Sequence, residues 1–156
     1  MDLNFLQNSL RDSLAEFHIA PNIRYRNIAF SSKKLAALDD VTQTLRGLLP
    51  GYAVWQIAGI HNAPKTITSR NALLKCISDI QQKGVIIHQP EQWLSHWPLL
   101  EKQAFWSALS MWQNQINVVL VFAESDEFQQ INNTYFKPKI LEGLNMNVWR
   151  PIRAEQ

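Results

Sequence analysis

The residues best placed to do chemistry lie in Gly59-Ile-His-Asn-Ala-Pro-Lys-Thr66. An apolar run, Tyr52 to Ala58, precedes this stretch and reads as a buried strand ended by Gly59. An apolar-periodic helix follows it. In the order strand, glycine turn, Lys-Thr, helix, backbone N–H groups of the loop and the helix start converge on phosphate oxygens. Lys65 would then neutralise outer phosphates, and the Thr66 hydroxyl would hold magnesium. Gly59, Lys65 and Thr66 are therefore the nucleotide-binding candidates, with ATP and magnesium as the cofactors the frame would take if it works. The spacing follows G-x-x-x-x-G-K-T except that Pro64 stands at the second glycine. Proline has no N–H to give, and its fixed φ denies the left-handed geometry a glycine allows. Ala63 ahead of it is pushed toward extended backbone as well. A chance loop with a solvated Lys65 fits the same residues.

Other reactive side chains carry ordinary readings beside the sharper ones. His88 ends an apolar run and could pair with Glu91 or Glu124, as a hydrogen-bonded buried histidine rather than a catalytic one. His61 reads as an exposed loop residue. Glu124, Asp126 and Glu127 read as a solvated acidic turn before they read as metal ligands. His18, His61, His88 and His96 show no paired zinc spacing. Cys76 falls on the apolar side of a helix, without the electropositive setting a nucleophile needs. No catalytic residue and no metal-ligand set is assigned.

The elements that must position these groups follow from hydrophobic period. Leu3, Leu6, Leu10, Leu14 and Phe17 predict a helix over 2–17, stopped by Pro21-Asn22. Residues 23–30 read as a strand, and Ser31-Ser32 sit where a helix cap belongs. Leu35, Leu38, Val41, Leu45 and Leu48 predict an amphipathic helix over 33–48, ended by Pro50-Gly51, after which the central strand begins. Leu73, Leu74, Ile77 and Ile80 mark the next helix, ended at Lys83-Gly84. Val85 to His88 is a short buried strand. Residues 89–98 hold Pro90 and Pro98 and cannot form one unbroken helix. A helix follows over 99–113, apolar on more than one face. Val118 to Ala123 is the clearest strand, residues 124–144 hold one further helix at best, and 147–152 reads as a last strand. Short apolar strands alternating with helices predict a single three-layer α/β domain, a mainly parallel sheet of four or five strands with the N-terminal helix packed on it.

Bulk properties narrow the function. The chain has 156 residues, 46% hydrophobic and 18% charged, enough for one buried core and unlike a disordered segment. A formal charge of +2 does not by itself predict nucleic-acid binding. One cysteine excludes an internal disulfide and suits a reducing cytoplasm. The N-terminus does not read as a signal peptide, and no apolar run approaches a membrane span.

Two further clusters stand out. Trp93, Trp97, Trp106 and Trp112 lie within one stretch too apolar for a single buried face, which makes them interface candidates for a larger protein subunit. Arg24, Arg26, Lys33 and Lys34 near one end are the nucleic-acid candidates, with Lys137, Lys139, Arg150 and Arg153 near the other end as a second basic group.

Residues 52–123 resemble the core of the P-loop NTPases of the RecA-like group, with Gly59, Lys65 and Thr66 on the loop glycine, phosphate lysine and magnesium-binding hydroxyl. In length and plan the chain is similar to the small P-loop proteins of bacterial phage-defence clusters of the BREX type. The resemblance implies a P-loop-NTPase-like sheet, in which the strands around Ile86 and Leu120 neighbour that of Ile57. It also implies an acidic magnesium ligand at a strand end. Here His88 and Gln89 follow Ile87, Glu91 lies past a proline, and Glu124 or Ser125 falls near the sensing position after the third strand. A changed loop together with a missing acid implies lost hydrolysis. The sequence thus predicts a non-hydrolysing P-loop-like subunit or adaptor of a bacterial protein assembly, acting through protein contacts. The alternatives are a nucleotide-binding ATPase or switch completed by a partner, and a nucleic-acid-binding module.

Overall fold

A computed structural model describes residues 3–19, 26–56, 69–125, 134–141 and 143–152. The loop Gly59 to Thr66, with its nucleotide-binding candidates Gly59, Lys65 and Thr66, lies outside the described residues, as do Arg24, His61, Asp126, Glu127 and Arg153. In chain order the elements are α1 (Leu3–Ile19), β1 (Asn27–Ser32), α2 (Leu35–Leu48), β2 (Ala53–Gln56) and α3 (Arg70–Ser78). They are followed by β3 (Gly84–His88), α4 (Glu91–Leu94), α5 (Leu99–Ser110), β4 (Asn117–Ala123), β5 (Phe136–Leu141) and β6 (Met146–Pro151).

The strands form one six-stranded sheet in the order β2-β3-β4-β1-β6-β5. The first four are mutually parallel, while β6 runs antiparallel to β1 and β5 antiparallel to β6. Strand alternation divides the core in two. Ile28, Phe30, Ile86, Val119, Val121 and Val148 point to one face, where Leu38, Val41 and Leu45 of α2 cover them and Leu6, Leu10 and Leu14 of α1 add to the same core. Ala29, Val85, Ile87, Leu120 and Phe122 point to the other face, under α3, α4 and α5. The three-layer α/β architecture is as the sequence predicts. Burying each of those leucines contributes roughly 1.5–3 kcal/mol, which is why the stripe decides where α2 lies.

Several local expectations are corrected. The strand taken as central, β2, lies at one end of the sheet. Among the described residues its only partner is β3, and β4 lies beyond β3 rather than against β2. The expected neighbours are thus met on one side only. Among the described residues the sheet has six strands, not four or five, because 136–141 forms edge strand β5 where one further helix at best was expected. Ser31 and Ser32 are buried strand residues and not helix caps: Lys34 is the N-cap of α2. Ser32 Oγ nonetheless accepts from Lys34 N at 3.1 Å. The helix expected directly after Thr66 begins at Arg70, with Ser69 as an extended N-cap accepting from Ala72 N at 3.3 Å.

Two glycines are required by geometry. Gly51, at φ +89°, takes the third place of the turn Leu49 to Tyr52, whose Tyr52 N donates to Leu49 O at 3.2 Å. Pro50 presets the place before it, and together they turn α2 into β2. At Gly84 a Cβ would meet the Tyr52 ring and lie 2.7 Å from Asn117 O, so the start of β3 admits no side chain.

Candidate functional site

The connection from β1 passes over the α2 face, while those from β2 and β3 pass over the α3/α5 face. The carboxyl ends of β3, β4 and β1 are therefore where the connections part, which is where open α/β sheets place ligand sites. Polar side chains occupy that end in two sets.

The first set joins β3 to α2. His88 is buried at the end of β3, its Nδ1 is 2.6 Å from Thr42 Oγ1, and its Nε2 is 3.3 Å from Asp39 Oδ1. A carboxylate accepts only, so Nε2 carries the ring proton and Nδ1 accepts from the threonine. Burial holds His88 below the ordinary imidazole range, and the nearby Asp39 offsets this in part. The partners expected for His88, Glu91 and Glu124, are thus replaced by Thr42 and Asp39. Sequence could not join them, because β2 and α3 lie between α2 and β3 and nothing local links them. Thr42 is wholly buried, so this Asp-His-Thr arrangement presents no nucleophile to solvent.

The second set joins β4, β1 and β6. Glu124 Oε1 accepts from Ser31 Oγ at 3.1 Å and from Asn147 Nδ2. Ser31 Oγ in turn accepts from Trp149 Nε1 at 2.6 Å. Beside it, Glu91 reaches back past Pro90 so that its Oε1 accepts from Ala123 N at 3.3 Å. The proline that set Glu91 aside in the sequence begins the turn that brings it to the strand ends. Its Oε2 is buried and has no hydrogen-bond partner among the described residues. Burial pushes the Glu91 carboxyl up, against the pull of its own backbone N–H and that of Ala123. Among the described residues no three His, Cys, Asp or Glu side chains group to hold a metal ion.

Three of the four tryptophan interface candidates are corrected. Trp93, Trp97 and Trp106 are buried at 6%, 4% and 3% exposure in the core beneath α3, α4 and α5. Trp106 lies 6.3 Å from the Phe122 ring and 6.0 Å from Phe136, centre to centre. Trp112 is half-buried and donates Nε1 to Ile116 O at 2.8 Å. The apolar excess of α5 shows instead at its first turn, where Leu99 and Leu100 are exposed. Cys76, expected on a buried face, is half-buried.

The described basic residues divide between the two ends of the sheet, with Arg150 of β6 and Lys137 of β5 paired in register toward the Arg26 end of β1. Arg26 precedes β1 while Lys33 and Lys34 follow it, so they stand at opposite ends of a strand, roughly 23 Å apart at ~3.3 Å per residue. Lys137 and Lys139 lie on β5, at the far edge of the sheet from β2.

The two sheet edges differ. Strand β5 carries exposed Lys137, Pro138 and Lys139, the residue types that block pairing with another chain. Strand β2, Ala53-Val-Trp-Gln56, carries neither a charge nor a proline. A groove of about 960 Å³ runs along it, with β2 as its floor. The end of α2, with Arg46 and Leu49, forms one wall, and the end of α3, with Asp79 and Ile80, forms the other. No sequence signal marks this groove, because it depends on which strand the topology leaves outermost.

Comparison with protein-family models, with curated proteins and with solved structures gives no match. Among the described residues no helix is long and apolar enough to cross a membrane.

Proposed function

We propose that this chain is a non-hydrolysing subunit or adaptor that works by protein–protein contact within a larger assembly. The observation that carries the reading is the unlike pair of sheet edges, one guarded by Lys-Pro-Lys and one that carries neither charge nor proline and, among the described residues, no second strand partner along its groove. Unpaired strand edges invite another chain, and proteins guard those they do not use. Loss of hydrolysis draws support from the strand ends. His88 ends β3 and Gln89 follows it, where a magnesium carboxylate would be needed, and Glu124 is engaged with Ser31 and Asn147. Pro64 in the Lys65-Thr66 loop supports the same conclusion by removing a phosphate-facing N–H.

The test is turnover of ATP with magnesium by the purified chain and by Lys65→Ala. The adaptor reading expects neither protein to exceed the blank, and expects Lys65→Ala to keep any partner contact. Turnover that requires Lys65 would replace this reading with the nucleotide-driven one.

A further inference from the structure

Beyond a general docking edge, the two walls of the β2 groove carry opposite charges. Arg46, on the α2 side, and Asp79, on the α3 side, are both exposed, and neither is ion-paired with another described residue. Each wall also offers a half-buried apolar side chain, Leu49 beside Arg46 and Ile80 beside Asp79. Along β2 the side chains alternate, with Val54 turned to the α2 core and Ala53 and Trp55 to the α3/α5 core. The outward N–H and C=O groups of β2 lie between these walls. A strand added beside them, at about 4.8 Å, would send its own side chains alternately to the two walls.

We infer that the β2 edge is a strand-addition site for an extended segment of a partner protein, apolar in alternation, with acidic side chains toward Arg46 and basic ones toward Asp79. The inference rests on the adaptor reading and specifies its contact. The class of partner follows from what the groove leaves unmet. A partner helix satisfies its own backbone groups and would leave the β2 edge unpaired, whereas an extended segment pairs with that edge and fills both walls. A second copy of this chain, joined edge to edge about a twofold axis normal to the sheet, would run its β2 antiparallel to this one and carry the two Arg46 residues to opposite ends of the joint. Slowing of the same amides without peptide, rising with the concentration of the chain, would show that occupant and overturn the inference.

The experiment titrates two short synthetic peptides into the isotopically labelled full chain and follows amide exchange by NMR. Both peptides alternate valine and threonine. One carries glutamate on the side that would face α2 and lysine on the other side, and the second has these charges exchanged. With free peptide at about ten times its Kd, exchange through the unbound state slows about elevenfold at the outward amides of Ala53 to Gln56. The inference expects that slowing with the first peptide and binding about fivefold weaker for the second, as two exposed ion pairs give way to two repulsions. The double variant Arg46→Glu with Asp79→Lys, both at exposed positions, is expected to reverse the preference. Protection by neither peptide, equal affinity for both, or protection confined to other strands would overturn it. These readouts are independent of ATP turnover, so loss of the strand-addition site and loss of the adaptor reading are told apart.

Discussion

The hydroxyl of Thr42 and ring Nδ1 of His88 meet at 2.6 Å, tying the middle of α2 to the end of β3. Because burial keeps the folded-state imidazole below its ordinary range, the unfolded chain takes up a proton at a higher pH than the folded chain does. Stability from this group is therefore complete above about pH 6.5 and falls with pH until the lower, folded value is crossed. Urea midpoints measured at about pH 7.5 and about pH 5.5 are expected to fall toward acid in the wild type, and to fall less in His88→Gln, which has no proton to gain. An equal fall in both proteins would place the pH dependence elsewhere.

Glu91 works in the opposite direction. Its carboxyl is raised above 4.5 by burial, so the folded chain holds a proton that the unfolded chain has already lost. Stability from this group falls as pH rises through that window, and the full cost is present above the folded value. Glu91→Gln keeps an acceptor for Ala123 N and removes the buried charge. It is expected to raise the urea midpoint at neutral pH and to lose that advantage near pH 4, read in the same denaturation series.

At Gly84 the backbone leaves no room. An added Cβ would press on the Tyr52 ring and on Asn117 O, and Tyr52 is itself held by a 2.7 Å bond from Asn117 Nδ2 to its hydroxyl. Gly84→Ala is expected to destabilise by about 1–3 kcal/mol in urea unfolding. By contrast, nothing lies within 4 Å of a Cβ built at Gly47, so Gly47→Ala at that helical position is expected to stabilise by roughly 0.5–1 kcal/mol.

Trp106 distinguishes core from contact. Its ring packs against Phe105, Phe122 and Phe136, so Trp106→Ala is expected to cost about 3–5 kcal/mol in calorimetric or urea unfolding. Leu100→Ala, at a side chain 78% exposed, is expected to change stability by no more than about 0.5 kcal/mol. A stable Trp106→Ala protein would restore that residue to the surface.

What could be read in advance follows from how local each signal is. The stripe of α2 and the apolar runs of β3 and β4 are complete within a few residues, and each forms where its period places it. Strand β5 was not legible, since an edge strand guarded by Lys137, Pro138 and Lys139 loses the apolar alternation that announces a strand. The edge position of β2 was not legible either: its run Ala53-Val54-Trp55 is as apolar as a central strand because α2 and α3 cover it above and below. The tryptophan excess misled for a related reason. A core shared by α3, α4 and α5 takes Trp93, Trp97 and Trp106 from two short helices and their junction, so no single face had to hold them. The pairs at the strand ends, Thr42 with His88 and Ser31 with Glu124, lie 46 and 93 residues apart, and only the topology brings them together.

The open β2 edge is the claim on which the functional account turns, and amide exchange of Ala53, Val54, Trp55 and Gln56 in the purified chain tests it most directly. A strand paired on one side only alternates N–H groups bonded inward with N–H groups left to water. The account predicts two alternate amides of the four exchanging near the unprotected rate while their neighbours are retarded with β3. Retardation of all four, comparable to that across β4, would mean the edge is already covered and would contradict it.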